Sequence, residues 1–391
     1  MGSKSHAECR KRTINILNKM SLGFAPYLLK SLAQVALEND PEIVLDPAGA
    51  FNLLNSQKAA SVVSESPAAN GHRKQVNVKY QQRATPAQVA DTISCDNVIV
   101  PIYNETTVVV DIKKQLGIYI DDETIARYMD EASRTVAVGL PQTQFMAEFL
   151  FSVMTSTNAL IQALDIEVLT KLASNVGVNV VSGNNTATAI NIPLNTIVNP
   201  LNNSINKILT DFNKNGLKGT PQILGAGLFW DFVTQQPFKT SDFNGLNTAA
   251  QASKFQFYPD LNAETVLGTN HVLVVAPNSV QRVDYITNQG FRAGLKGSSY
   301  FFTIDLPMQI GQEIVPITFD AHLKYIDCPT ELVEAYTGEP VTAERGWALY
   351  ISKQMGVFQI PSDAYQTTDR LYGVNGTLLY EISNDCTNCP E

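Results

Sequence analysis

The sequence is poor in the residues that carry chemistry, with four histidines and five cysteines in a chain of 391 residues. Four histidines scattered at His6, His72, His271 and His322 nominate no general base, and solvent-facing or structurally satisfied imidazoles account for them. The cysteines, Cys9, Cys95, Cys328, Cys386 and Cys389, are odd in number and far apart, so they outline no disulfide framework. Cys386 and Cys389 have CxxC spacing, but a tetrahedral metal site needs two further ligands, and no histidine pair has matching spacing. No βα pattern surrounds them to suggest a redox pair.

Catalytic and phosphate-binding signatures are missing too. There is no GxxxxGK[ST], no GxGxxG at dinucleotide spacing, no GxSxG elbow, no HExxH and no kinase set. Gly216, Gly219, Gly225 and Gly227 read as turn glycines. The runs Asp121-Asp122-Glu123 and Asp130-Glu131 place neighbouring carboxylates on different sides of a helix, which suits caps and solvated faces. The expectation is a chain that is no enzyme and holds no cofactor or metal. A hydrolase assembling two distant carboxylates is the reading from a different class.

No stretch is long and apolar enough to span a membrane. The most apolar early segment, Phe24 to Leu37, contains Pro26, Lys30 and Gln34. The basic start lacks a following apolar core with a cleavage site, so a cytoplasmic chain is expected.

What is present is apolar material, 44% of residues, with only 17% charged. That is enough for one large or two medium cores. Net charge is −9, unevenly spread. Residues 1–83 hold 11 Lys and Arg against 6 Asp and Glu, a balance of +5, whereas the remainder stands at −14. A basic end on an acidic body suits an arm lying on an acidic neighbour or on nucleic acid, or one that is merely solvated. Arg10, Lys11, Arg12, Lys79, Tyr80 and Arg83 are the candidate residues for interface or nucleic-acid contact. Such phosphate contact would carry no sequence code.

Residues 1–70 read as an arm of helical pieces, Arg12 to Met20 and Pro26 to Leu37, joined by proline-marked linkers that bury little alone. Gln75 to Tyr80, Val98 to Tyr103 and Thr107 to Ile112 alternate as strands with one covered face. With the polar stretch Ala84 to Asn97 between them they form a long hairpin, marginal in isolation. Residues 121–181 are the strongest helical region, broken by Gly139 and Pro141. The second helix restarts at Pro141 and runs to about Asn175, ended by Gly177. Leu201 to Asn213 has amphipathic spacing and His271 to Ala276 is a buried strand. Pro277 to Tyr285 reads as a turn feeding a helix. Five further strands are expected at Tyr300 to Leu306, Ile314 to Phe319, Leu323 to Ile326, Trp347 to Ser352 and Thr377 to Ile382.

Three stretches have a familiar texture: Gly219 to Gly225 leading into Leu228-Phe-Trp-Asp-Phe232, Asn270 to Gln281, and Arg370 to Tyr380. With the order of elements, they make residues 70–385 resemble the major capsid proteins of tailed double-stranded-DNA phages, the Hong Kong 97-type fold also used by encapsulin shells. The resemblance implies an α+β chain with residues 1–70 as N-terminal arm and 71–120 as extended hairpin loop. Residues 121–220 would be the spine helix and peripheral domain, 221–300 an axial α/β domain, and 301–391 peripheral strands and C-terminal tail. It implies self-assembly through hexamers and pentamers into an icosahedral virion shell built in the host cytoplasm. Packaged DNA would be contacted non-specifically, with portal, scaffolding or decoration proteins as further partners and no membrane. An encapsulin-like cargo compartment is the alternative within that fold.

Overall fold

The computed structural model describes residues 45, 49–57, 59, 62–67, 74–82, 84, 89, 91, 98–123, 144–180, 189–193, 200–225, 255–287, 292–293, 299–310, 313–326, 330–333, 338–343, 345–362 and 374–383. In chain order their elements begin with α1 (Gly49–Asn55), β1 (Val62–Pro67), β2 (Gln75–Gln81), β3 (Tyr103–Val109), β4 (Ile112–Asp121) and α2 (Gln144–Ser174). Then come β5 (Ile190–Pro193), α3 (Pro200–Lys214), β6 (Gln222–Gly225), β7 (Gln256–Pro259), α4 (Ala263–Val266), β8 (His271–Val275) and β9 (Val280–Tyr285). The last are β10 (Arg292–Ala293), β11 (Ser299–Ile310), β12 (Glu313–Ile326), β13 (Thr330–Val333), β14 (Pro340–Ala343), β15 (Gly346–Gln359) and β16 (Thr377–Ser383). Helices combined with mainly antiparallel sheets make this an α+β chain.

The 31-residue helix α2 spans about 46 Å at 1.5 Å per residue. Val153, Met154, Leu160, Ile161, Leu164, Val168, Leu169 and Leu172 are buried apolar positions among its described side chains, at the three- and four-residue spacings of one stripe. Gly177 lies just beyond its end, where its amide donates to the Thr377 carbonyl at 3.0 Å. Helix α3 opens on Pro200, whose missing amide hydrogen costs nothing in a first turn. It closes at Gly216, where φ is +73° and the Leu217 amide reaches back to the Phe212 carbonyl at 3.1 Å.

Contacts divide the chain into two units, one of residues 1–47, 113–161 and 285–354, the other of residues 48–112, 162–284 and 355–391. In the first, the sheet runs β10-β11-β12-β15-β4. Strands β11 and β12 pair along their whole length, Ser299 opposite Lys324 to Ile310 opposite Glu313. Alternation buries Phe302, Ile304, Leu306, Ala321, Leu323, Leu349 and Ile351. On the other face Phe301, His322 and Tyr350 stack across three strands, with ring centroids 4.3 Å and 5.8 Å apart. Gly117 of β4 leaves room for the Tyr350 ring, which a Cβ there would approach to 2.9 Å.

In the second unit, a five-stranded sheet runs β5-β16-β8-β6-β7 and a three-stranded sheet β1-β2-β3. Ile192, Ile208, Phe212, Ile223, Val272, Val274, Leu378, Tyr380 and Ile382 form its core together with Val78, Tyr80 and Phe358. A polar network sits inside that core. Tyr380 Oη donates to Asp211, and Asn179 Nδ2 donates to Asp211 Oδ2 at 3.2 Å and to Tyr380 Oη at 3.1 Å. Asn215 Nδ2 completes it on Asn179 Oδ1 at 2.7 Å. Every buried polar group named here thus has a partner, as burial demands.

Several expectations need correction. Ile314 to Phe319 and Leu323 to Ile326 are parts of one strand, because Asp320, Ala321 and His322 keep the ladder to Ser352, Ile351 and Tyr350. His322 therefore lies within a strand and not between two. Pro277 to Tyr285 feeds strand β9 and not a helix, its β-branched Val280 and Val283 being buried in extended chain. The stretch expected as an arm that buries little contains α1, whose Ala50, Phe51, Leu53 and Leu54 are buried within their own unit. The two helical pieces before residue 45, the helix expected from Asp121 to Gly139 beyond its first three residues, and all five cysteines lie outside the described residues; Asp121 itself closes strand β4.

Candidate functional site

Strands β2 and β3 pair antiparallel from Gln75 opposite Val109 to Gln81 opposite Tyr103. Residues opposite one another share a face, so Val76 and Val108, Val78 and Thr106, and Tyr80 and Asn104 line one side. That side is covered along the paired strands: Val78 is 1% exposed, Tyr80 4% and Val108 7%. The Tyr80 ring lies 6.5 Å from the Phe358 ring in the core. The opposite side carries Asn77, Lys79, Glu105 and Thr107, with Thr107 Oγ1 donating to Asn77 Oδ1 at 3.0 Å.

Cover fades toward the far end of the hairpin. The Gln82 amide still reaches the Ile102 carbonyl at 3.0 Å, but the side chains there stand in solvent. Val98 is 77% exposed, Ile99 48%, Val100 76%, Ile102 52% and Tyr103 55%. Five large apolar side chains in six consecutive residues, all about half or more in water, make a contiguous patch of the kind that marks an interaction surface. Burying each on a partner would contribute on the order of 1 kcal/mol. Pro101, in the middle of the patch, offers no amide hydrogen for a ladder. A smaller apolar pair, Val333 at 73% and Val341 at 47% exposed, lies on the separate hairpin β13–β14.

Among the candidate contact residues, Lys79 is exposed on the open face of β2, across from Glu105. Tyr80 is not available for contact, because alternation turns it into the core beside Val78. Arg10, Lys11, Arg12 and Arg83 lie outside the described residues. Among the described residues no three metal-ligating side chains gather, and no helix is long and apolar enough to cross a membrane. A polar groove of about 620 Å³ lies beside β3 in the second unit, where Lys171 pairs with Asp111 among Asn175 and Asn375.

The grouping that sequence reading missed is a pair of buried carboxyls. Asp165 of α2 is 0% exposed and Asp260, after β7, is 1% exposed. Asp165 Oδ1 accepts the Phe51 amide at 2.7 Å and Asp260 Oδ2 accepts the Ala50 amide at 3.2 Å. Asn262 ties them together, its Nδ2 donating to Asp165 Oδ2 at 3.2 Å and its amide to Asp260 Oδ1 at 2.9 Å. Burial, then the charge of Asp260, pushes the Asp165 carboxyl up to about 7. The only trace in sequence was an Asp in the apolar stripe of a helix, with a partner far along the chain.

No family model and no curated protein matches the chain. Solved structures similar to it include one from Mycobacterium phage Adephagia, at 11% identity and a TM-score of 0.43, covering 86% of this chain and 91% of that one. Another is the capsid structure of the cyanophage P-SCSP1u, at 11% identity and a TM-score of 0.41, covering 87% and 90%. A third is a virus-like particle from Pyrococcus furiosus, at 10% identity and a TM-score of 0.35, covering 85% and 96%.

Proposed function

We propose that this chain is a structural protein that self-assembles into an icosahedral phage head enclosing double-stranded DNA, the major capsid protein of a tailed phage. The observation that carries the reading is the hairpin β2–β3, rooted in its own core at Val78, Tyr80 and Val108 and bare from Val98 to Tyr103. An apolar strip held out on a paired stem has a settled position and lacks only a surface to lie on. A second copy of the chain supplies it, so that each subunit gives one hairpin and receives another. Repetition around a closed shell turns many modest contacts into a cohesive whole. The order of elements and the resemblance of residues 70–385 to the capsid family support the same reading.

On this reading the contacts are with neighbouring copies in hexamers and pentamers. The packaged DNA meets basic side chains through its phosphates alone, without sequence preference. Lys79 and the Arg10-Lys11-Arg12 run are the basic groups proposed for either kind of contact.

The test is electron microscopy of the purified protein, together with a variant lacking Ala84–Asn97. The full chain is expected to form closed particles, and the deletion to give a folded subunit of unchanged core circular dichroism that forms none. A full chain that stays monomeric at high concentration would overturn the shell reading. Ordinary particles from the deletion variant would overturn the role of the hairpin.

A further inference from the structure

We propose that Asp165 and Asp260 form a one-proton latch that holds α1 on its unit in acidic to neutral solution and loosens it in alkaline solution. Two carboxyls, each essentially without exposure, lie within hydrogen-bonding reach of one another and both accept amides from the first turn of the same short helix. Shared between them, a single proton leaves one negative charge, and the remaining oxygens still accept Ala50, Phe51 and Asn262. Loss of that proton places two like charges together in a dry site, which is far costlier than one. The arrangement is close-fitting as well, since a Cβ on Gly49 would stand 2.6 Å from Asp260 Cβ.

Among the described residues no cation pairs with either carboxyl. From α1 the pair meets backbone amides, and β6 contributes no titratable side chain. On β7, Tyr258 is engaged with Ser56 at 3.0 Å. Glu264 on α4 is exposed, and Glu167, two residues along α2, points from another side of that helix. On β9, Arg282 sits 5.7 Å over the Phe51 ring and pairs with Asp284 at 2.9 Å. The raised pKa of Asp165 puts the release near neutrality.

What the latch controls is access to Phe51, Leu53 and Leu54, all buried while α1 is seated. Unlatching would turn that apolar face toward solvent or a partner, and it operates whether or not the chain builds a shell.

Hydrogen exchange of the full-length protein tests this, read as protection factors for the peptide covering α1, with β8 as internal control. Between about pH 5.5 and about pH 8.5 protection of α1 is expected to fall by tenfold or more while β8 holds steady. Asp165→Asn, which keeps the acceptor for Phe51 and removes the charge, is expected to hold α1 protection within about threefold over that range. Asp260→Asn serves the same purpose should the first variant not fold. Equal protection of α1 at both pH values in the unaltered protein, a matching loss in β8, or an undiminished fall in the Asn variants would each overturn the latch.

Discussion

The hydroxyl of Tyr380 lies 3.3 Å from a carboxylate oxygen of Asp211 inside the second unit, and Asn179 bonds to both. Burial and the adjacent carboxylate push the phenol far above its ordinary value of 10.0. A folded-state value above the unfolded one means that this group's contribution is present below pH 10 and fades as pH rises beyond it. Tyr380→Phe is expected to cost about 1 kcal/mol in urea unfolding near neutral pH. Asp211→Ala, which takes the shared acceptor from Tyr380 and Asn179, should cost about 3 kcal/mol. Equal stability of Asp211→Ala and the unaltered protein would show that the network contributes nothing.

Gly346 allows β15 to lie against β4. A Cβ there would stand 2.2 Å from the Ile120 carbonyl oxygen and 2.9 Å from Asp121 Cα, both backbone atoms with no rotamer to yield. Gly346→Ala is therefore expected to destabilise by about 1–3 kcal/mol or more, read from the urea midpoint at unchanged slope.

His322 is held below its ordinary pKa of 6.5, first by burial and then by the neighbouring Lys324. With the folded value depressed, its contribution is intact above pH 6.5 and declines as pH falls through the folded value. A ring-proton titration by NMR should place the His322 midpoint below that of a free imidazole. His322→Gln should soften the acid side of the stability profile. A midpoint at or above 6.5 would contradict the stacked, desolvated setting between Phe301 and Tyr350.

Replacing Val98, Val100 and Ile102 together by serine removes apolar surface that stands half or more in solvent. Thermal stability of the subunit is expected to change by about 2 °C or less. The concentration needed for assembly, followed by light scattering, should rise on the order of tenfold per residue. A large drop in subunit stability would show instead that these side chains serve their own fold.

Much of the architecture is legible where one periodicity runs uninterrupted. The alternation Gln75 to Tyr80 announced β2, and the apolar stripe ahead of Gly177 announced α2. Failures fall where a local rule meets a distant partner. Asp320 and His322 look like a break between strands, yet Thr287 donates its amide to Asp320 at 2.9 Å and Phe301 stacks on His322. The turn signals Asp46-Pro47 and Asn39-Asp-Pro41 suggested loose chain, while α1 is fixed by carboxyls more than a hundred residues away in sequence. In Tyr80 the pattern was read correctly as a strand but the side chain was offered to a partner, although its parity with Val78 assigns it to the core. Val98 to Tyr103 reads as an alternating strand with one covered face, yet only Tyr103 belongs to a strand and the large apolar side chains of the run stand about half or more in solvent.

Pro101 has a bearing on how a subunit survives before it finds company. Five bare β-branched and aromatic side chains within six residues are the composition from which fibrils nucleate, since identical strands stack through their amides without limit. An imide nitrogen at the third position from the end of the run breaks that stacking register while leaving the apolar side chains free for a shaped, finite contact. The same six residues can therefore be adhesive toward a folded neighbour and resistant to amyloid, a separation of two outcomes that turns on one ring.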